Sequence, residues 1–185
     1  MSETSLRREG YLCLALFIAC IPAANWLIQN VGTFCAPNGP CLIPVGPGLT
    51  APSGVLLVGV ALVLRDLVQR RLGAVFALGA IALGGVLSAF FSPPALVYAS
   101  VAAFLLSELA DFAIFTPLQK RGLVLAVFVS SIVGLIVDSL VFLQLAFGSL
   151  DYLGGQIAGK AIMVFLALPV IHLIRERDRR LGLPA

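Results

Sequence analysis

Residues 123–147 read LVLAVFVSSIVGLIVDSLVFLQLAF, an uninterrupted apolar run with one charged residue, Asp138. A helix of about 20 apolar residues is long enough to cross the hydrocarbon core of a bilayer. The whole chain has the same character, because 60% of its 185 residues are apolar and only 11% are charged. In a soluble domain about a quarter of the residues carry charge. The sequence therefore predicts an integral membrane protein and excludes a soluble domain, a disordered chain and a nucleic-acid-binding arm.

Apolar segments of similar length occur along the rest of the chain. We expect a single membrane domain, residues 1–185, built as an all-α bundle of six transmembrane helices. The predicted helices cover about residues 11–29, 53–71, 72–91, 95–116, 123–147 and 156–174. Residues 30–52 are rich in proline and glycine, which are incompatible with a helix, and we expect a loop there. The first apolar run could also be a signal peptide, but its length favours an uncleaved helix.

The basic residues indicate the orientation of these helices. Of the 12 Lys and Arg residues, all but Lys160 lie at the N-terminus, on alternate connections or in the C-terminal tail. Cytoplasmic loops carry an excess of Lys and Arg. The pattern predicts that both termini are cytoplasmic and that the protein is a multi-pass protein of the inner (cytoplasmic) membrane.

Two cysteines, Cys35 and Cys41, lie in the predicted first loop, on the outer side of the membrane in this topology. An oxidising compartment permits disulfides, and the Pro and Gly residues between the two cysteines favour a turn. We expect a Cys35–Cys41 disulfide, with two free thiols as the alternative.

Several charged or polar residues lie within the predicted helices, where they are costly and usually line a cavity or pair with one another. Glu108 and Asp111 are three residues apart and share one helix face, so a proton or a cation could neutralise part of their charge. Asp138 and Lys160 lie at similar depth on consecutive helices and could form an ion pair. The full set is Asn25, Arg65, Asp66, Glu108, Asp111, Asp138 and Lys160.

Structural roles are the alternative for each of these groups. Arg65 and Asp66 could mark an ordinary helix end at the membrane surface, and Asp138 with Lys160 could be a purely structural pair. The chain has one His, which excludes multi-His metal sites, and this residue, His172, lies near the predicted cytoplasmic end of helix six, where we expect an interfacial histidine. We therefore expect a transporter or a solute-binding subunit, with no enzymatic activity, no metal and no cofactor.

The order and spacing of these polar positions resemble the vitamin uptake transporter family, which comprises bacterial queuosine precursor transporters. The family has a small residue, Asn and an aromatic residue in helix one, and Asp-Leu followed by a basic residue and Gly in helix two. Helix four of the family carries Ser-Glu or Gly-Gln with an Asp three residues later. The matching segments here are Ala24-Asn25-Trp26-Leu27, Arg65-Asp66-Leu67 with Gly73, Ser107-Glu108-Leu109-Ala110-Asp111-Phe112, Asp138-Ser139 and Gly159-Lys160.

The resemblance implies uptake of a 7-deazaguanine base and a fold similar to the six-helix substrate-binding subunits of energy-coupling-factor importers. The implied substrate-binding residues are Asn25, Trp26, Glu108, Asp111, Asp138 and Lys160, with Arg65 and Asp66 in charge balance or gating. Trp26 or Phe104 would stack on the base. Glu108 and Asp138 are the carboxylates that we expect to bind the base, because they lie at or outside the midplane.

Two functions from different classes remain open at this point. The first is a stand-alone transporter that imports the base across the cytoplasmic membrane. The second is a substrate-binding subunit for a vitamin or another small solute that needs a separate energising complex, for which Ala15 and Ala19 could form a contact face. The expected partners are the small solute and the bilayer, with no nucleic acid. A homo-oligomer is an open alternative.

Overall fold

The computed structural model describes residues 3–35 and 40–182. Long α-helices dominate these residues, and a small sheet and a 3-10 turn lie between them. The elements in chain order are α1 Glu3–Asn30, β1 Phe34–Cys35, β2 Cys41–Gly46, β3 Leu49–Pro52, α2 Val55–Leu72, α3 Ala74–Phe91, the 3-10 turn Pro94–Leu96, α4 Val97–Leu118, α5 Leu123–Phe147 and α6 Leu153–Arg180.

Five of these helices are long and apolar enough to cross a membrane: α1, α3, α4 with its preceding turn, α5 and α6. Large apolar side chains on their outer faces are strongly exposed, such as Tyr98 at 89%, Val75 at 82% and Phe90 at 80%. Exposed surfaces of this kind suit contact with lipid tails. This confirms the predicted integral membrane helical bundle.

The remaining long helix, α2, differs because it lies at the centre of the bundle and contacts all five other long helices. Each of its residues is buried or half-buried. Four charged residues, Arg65, Asp66, Arg70 and Arg71, lie on α2, and they explain why its composition is less apolar than that of the other helices. A helix that is surrounded by other helices can carry charge that a lipid-facing helix cannot.

The segment predicted as an irregular loop contains a three-stranded antiparallel sheet in the order β1-β2-β3. Leu42 in the middle strand pairs with both Phe34 and Pro52. Proline and glycine do exclude a helix here, but they do not exclude these short strands. Pro52 lies on the edge strand β3, and Pro44 of the middle strand lies at a register shift, beyond the residues that pair with β1. The prediction of a loop was therefore wrong for these residues. Cys35 and Cys41 form a disulfide across β1 and β2, and residues 36–39 of the predicted loop lie outside the described residues.

We call the end of the bundle that carries this sheet the sheet end. At the opposite end, which we call the terminal end, the start of α1 meets the last turns of α6. Both helices extend beyond their apolar spans: α1 begins at Glu3 and α6 ends at Arg180, whereas hydropathy placed these limits near Tyr11 and Ile174. The added turns carry charged residues that bind one another.

The terminal end is held together by two acidic residues and three arginines. Asp178 is fully buried and accepts hydrogen bonds from Arg71 at 2.9 Å and from Arg70 at 3.0 Å. Glu9 pairs with Arg71 at 3.1 Å and with Arg177 at 2.6 Å. These contacts join α1, α2 and α6, so the helices extend past the apolar spans because their charged ends stabilise one another.

We predict that Asp178→Asn destabilises the protein, because it leaves closely packed arginines without their shared carboxylate. Breaking a buried ion pair costs about 3 kcal/mol, which corresponds to a fall of about 6–12 °C in the melting temperature of the detergent-purified protein. The matched control is Glu176→Gln on the same helix, which removes a pair with Arg179 at 3.7 Å and should shift the melting temperature little. Equal shifts in the two variants would contradict this role of Asp178.

The disulfide gives a second prediction. Cys35 is exposed and Cys41 is fully buried. In the predicted orientation, with this loop outside, a thiol reagent that does not cross membranes should label intact cells only after mild reduction, and at Cys35. A Cys35→Ser/Cys41→Ser variant controls for Cys13 and Cys20, which are buried within the bundle. Labelling of Cys35 without reduction would contradict the disulfide.

Candidate functional site

Arg65 on α2 is fully buried and contacts three carboxylates at once. Its Nη1 lies 2.8 Å from Asp66 Oδ1, its Nε lies 3.2 Å from Glu108 Oε2 and its Nη2 lies 2.5 Å from Asp111 Oδ1. All three acidic residues are at most 2% exposed. The three-residue spacing of Glu108 and Asp111 places both on the face of α4 that meets Arg65. We call Arg65, Asp66, Glu108 and Asp111 the arginine cluster.

Uncharged side chains complete the hydrogen bonding around the arginine cluster. Arg65 Nη1 donates to Gln69 Oε1 at 3.0 Å, and Gln69 Nε2 donates to Thr116 Oγ1 at 2.9 Å. On the other side, Ser130 Oγ on α5 donates to Asp66 Oδ2 at 3.0 Å. Because of these contacts, the cluster fixes the positions of α2, α4 and α5 relative to one another.

Aromatic rings and a glycine also shape the surroundings of Arg65. The guanidinium carbon lies 5.9 Å from the ring centre of Phe112 and 5.8 Å from that of Phe115, within the range of cation–π attraction. Gly134 on α5 faces Asp111, and a Cβ at Gly134 would lie 3.1 Å from the Asp111 Cβ. A larger residue at this position would push α5 away from the cluster.

The charges of the arginine cluster do not balance, because three carboxylates face one guanidinium. An uncompensated buried charge is costly, so full ionisation of all three acids is unfavourable without a further positive group or a proton. The cluster therefore gives this part of the bundle an excess of hydrogen-bond acceptors.

Lys160 on α6 is the second buried cation, and its three acceptors are all close. Its Nζ donates to Asp138 Oδ2 at 2.5 Å, to Ser139 Oγ at 2.8 Å and to Gln156 Oε1 at 2.5 Å. An ammonium has three donors, so the bonding capacity of Lys160 is fully used. We call Lys160, Asp138, Ser139 and Gln156 the lysine cluster.

A cavity of about 100 Å³ lies between the two clusters and has room for several water molecules. It is formed by the parts of the helices nearest the sheet end and by Pro52 of β3. Its wall is mainly apolar, with Phe104 and Phe142 among its aromatic residues. The polar and charged residues that line it are Asn25, Ser88, Ser100, Ser107, Glu108, Asp138, Gln156 and Lys160.

Glu108 and Asp138 each retain one carboxylate oxygen for a ligand in this cavity. Arg65 binds Oε2 of Glu108 and Lys160 binds Oδ2 of Asp138. Within the part of the chain that the structure describes, neither Oε1 of Glu108 nor Oδ1 of Asp138 accepts a hydrogen bond. The cavity can therefore bind a small solute through N–H or O–H groups on that solute.

Asn25 lies in the cavity wall, and its amide is held in one orientation. Its Nδ2 donates to the Ile21 carbonyl at 3.0 Å, and its Oδ1 accepts from Ser92 Oγ at 2.9 Å. Trp26 was expected beside it but is 58% exposed and absent from the lining. Adjacent residues on a helix point in directions about 100° apart, so Trp26 faces away from the cavity. Phe104, the other expected aromatic residue, does line it.

Asp111 was expected to bind the substrate, but it does not line the cavity, and neither does Asp66, which was expected in charge balance or gating. They lie behind Glu108, where Arg65 holds them. Sequence reasoning did not single out Gln69 or Gln156 for the site. Each lies four residues from a buried cation on the same helix, and that spacing places the two side chains on one helix face. The sequence spacing could therefore have predicted that each glutamine binds its neighbouring cation.

Comparison with known proteins gives a family match. A family model described as "Putative vitamin uptake transporter" matches residues 76–174, which is more than half of the 185-residue chain. The matched region includes Glu108, Asp111, Asp138 and Lys160. No curated protein and no solved structure gives a significant match. The match covers most of four of the five apolar helices and about half of the residues that line the cavity. The chain therefore belongs to the vitamin uptake transporter family of membrane transporters.

Proposed function

We propose that the protein imports a queuosine precursor, a base of the 7-deazaguanine type, across the cytoplasmic membrane. The observation that carries the proposal is the small cavity in which Glu108 and Asp138 each retain a free carboxylate oxygen. The family supports transport of a small solute. The size of the cavity and its acceptor-rich wall suit a flat molecule with several N–H donors.

The chemistry of a guanine-like base fits these groups. Such a base presents a ring N–H and an amino group side by side, and a carboxylate can accept both in a bidentate pair. A dry pocket makes this pairing selective, because a ligand without one donor leaves a buried acceptor unpaired. Glu108 is our choice for this edge, Asp138 for a second donor of the base, and Phe104 for stacking against the ring.

The two buried cations keep these carboxylates ready to accept hydrogen bonds. Arg65 binds one oxygen of Glu108 and Lys160 binds one oxygen of Asp138, and each contact fixes the orientation of its carboxylate. Arg65 and Lys160 thus act by holding the acceptor carboxylates in place. Asp66 and Asp111 then balance and position Arg65.

The orientation we propose has all six long helices, including the charged α2, crossing the membrane with both termini in the cytoplasm. The sheet end then faces outward, and a solute from outside meets the cavity directly. The proposed fold is similar to that of the substrate-binding subunits of energy-coupling-factor importers. The absence of positive residues at the sheet end and the arginines at the terminal end support this orientation.

One feature supports the alternative, a substrate-binding subunit with a separate energising partner. Ala15 and Ala19 lie on the exposed face of α1, where small residues let another helix approach closely. Uptake of labelled 7-deazaguanine bases in a queuosine-auxotrophic strain that expresses this chain tests the main proposal. Uptake that disappears when the genes of the coupling ATPase are deleted would favour the alternative, and uptake that persists would exclude it.

We predict that Glu108→Gln removes selectivity for the amino group of the base. Wild-type protein should bind 7-deazaguanine about 10- to 100-fold more tightly than 7-deazahypoxanthine, which lacks that amino group, because a hydrogen bond to a charged acceptor contributes about 1.5–3 kcal/mol. In the variant, calorimetric titration should give nearly equal affinities for the two bases.

The matched control for this measurement is Asp151→Asn, an exposed acid at the sheet end outside the cavity wall, which should leave both affinities unchanged. The resemblance to the family implies that Gln can also stand at the position of Glu108. If Glu108→Gln retains the full preference for the amino group, the role of reading the base passes to Asp138.

A second prediction separates binding from folding at the lysine cluster. Lys160→Met should lower the melting temperature strongly, because it leaves the Asp138 carboxylate buried without its cation. The double variant Asp138→Asn/Lys160→Met should regain most of that stability but remain inactive in uptake. Normal uptake by the double variant would show that Asp138 and Lys160 form a structural pair only.

A further inference from the structure

A second concave region, on the side of the bundle, lies between the start of α5 and the end of α6. Its volume is about 520 Å³, and it is open to the surroundings along its length. Arg121 and Arg175 lie at its rim, and its floor contains Leu125, Phe128, Phe165 and Leu168. We call this region the lateral groove. It lies at the terminal end of the bundle and shares no lining residue with the cavity between the two clusters.

The two arginines at the rim differ from the other arginines nearby. Arg71 and Arg177 are paired with Glu9 and Asp178. Among the described residues, neither Arg121 nor Arg175 forms an ion pair. The Nε of Arg175 is also buried without a hydrogen-bond partner. Arg71 and Arg177 are neutralised by acids, whereas these two cations remain available for an external anion.

The backbone adds positive potential at the same place. Helix α5 begins at Leu123, and its N-cap residue Gly122, which lines the groove, provides no side-chain hydrogen bond to the first turn. The first N–H groups of a helix lack partners within the helix, and together with the helix dipole they attract anions. This contribution supports the two arginines and is secondary to them.

The floor of the lateral groove leads from the charged rim into apolar surface. Phe128 and Phe165 are in ring contact, with centroids 5.6 Å apart, and Phe165 and Leu125 are 54% and 49% exposed. Arg121 lies just before α5, and Phe128 lies five residues after the first residue of that helix, Leu123, a distance of about 8 Å along the helix axis. A ligand that fills the groove therefore needs an anionic head and an apolar chain of at least that length.

We propose that the lateral groove binds one anionic glycerophospholipid, with its phosphate between Arg121 and Arg175 and an acyl chain along Phe128 and Phe165. Guanidinium groups bind phosphate through charge-assisted, often bidentate hydrogen bonds. Basic pockets between membrane helices are typical sites for anionic headgroups. A free phosphate would satisfy the rim but leave the apolar floor unused. The site is independent of the proposed substrate, so it can be tested without transport.

The test measures the thermal stability of the purified protein in detergent during titration with dioleoyl phosphatidylglycerol, and in parallel with dioleoyl phosphatidylcholine. A ligand at about 100 times its dissociation constant should raise the melting temperature of a chain of this size by about 5–10 °C. We expect this shift with phosphatidylglycerol and a much smaller one with phosphatidylcholine. Inorganic phosphate and dihexanoyl phosphatidylglycerol are included to separate binding of the head from binding of the chain, and both should give small shifts.

The double variant Arg121→Gln/Arg175→Gln should weaken binding of phosphatidylglycerol at least tenfold. Arg180→Gln, at the exposed end of α6, removes charge from the same end of the bundle and should keep the full shift. If the double variant is unstable in detergent alone, Arg121→Gln is used instead, since Arg121 is exposed and unpaired, with an expected threefold loss. Equal shifts with the two phospholipids, an equal shift with inorganic phosphate, or a full phosphatidylglycerol shift in the arginine variants would overturn the proposal.

Discussion

The burial of Arg65 is the constraint on which the rest of this structure depends. A guanidinium cannot lose its charge inside a protein, so the helices around it must supply acceptors, and Asp66, Glu108 and Asp111 do so from α2 and α4. Ion pairs of this kind contribute little net stability compared with apolar packing, but the loss of one partner is costly. The main effect of Arg65 is therefore on how the helices pack and less on how stable they are. It fixes which face of α4 meets α2, and α2 in turn contacts every other long helix.

Glu108 connects this structural core to the cavity. One of its oxygens binds Arg65 and the other accepts no hydrogen bond from the described residues, so a solute at Glu108 shares a carboxylate with the arginine cluster. Asp138 stands in the same relation to Lys160. In both cases, a buried cation holds one side of an acceptor while the other side stays available. This arrangement avoids the cost of an unpaired buried carboxylate in the empty protein, and it explains why the charges of this chain occur in pairs on neighbouring helices.

The sequence predicted the features that each helix needs in order to lie in a bilayer, namely its apolar length and its orientation. Apolar length gave the positions of the membrane helices, because every lipid-facing residue must be apolar, and the alternation of basic connections gave the orientation that we propose. Contacts between helices were harder to predict, since they depend on the rotation of each helix. The threefold contact of Arg65 and the pairing of Leu42 with two strands are of this kind. The position of Trp26 depends on the same rotation, because α1 turns Asn25 toward the cavity and leaves Trp26 on its exposed face.

The two ends of the bundle differ, and this difference bears on how a solute would pass. The cavity lies toward the sheet end, whereas at the terminal end Glu9 and Asp178 join α1, α2 and α6 through shared arginines. Under the proposed transport function, release of a solute at the terminal end requires these helices to separate there, and the shared carboxylates must then lose some of their partners. In the proposed orientation those residues lie near the membrane surface, where water can replace a lost hydrogen bond, whereas Arg65 is fully buried in the centre of the bundle. The helices would therefore separate first at Glu9 and Asp178, while α2 and α4 stay joined through Arg65.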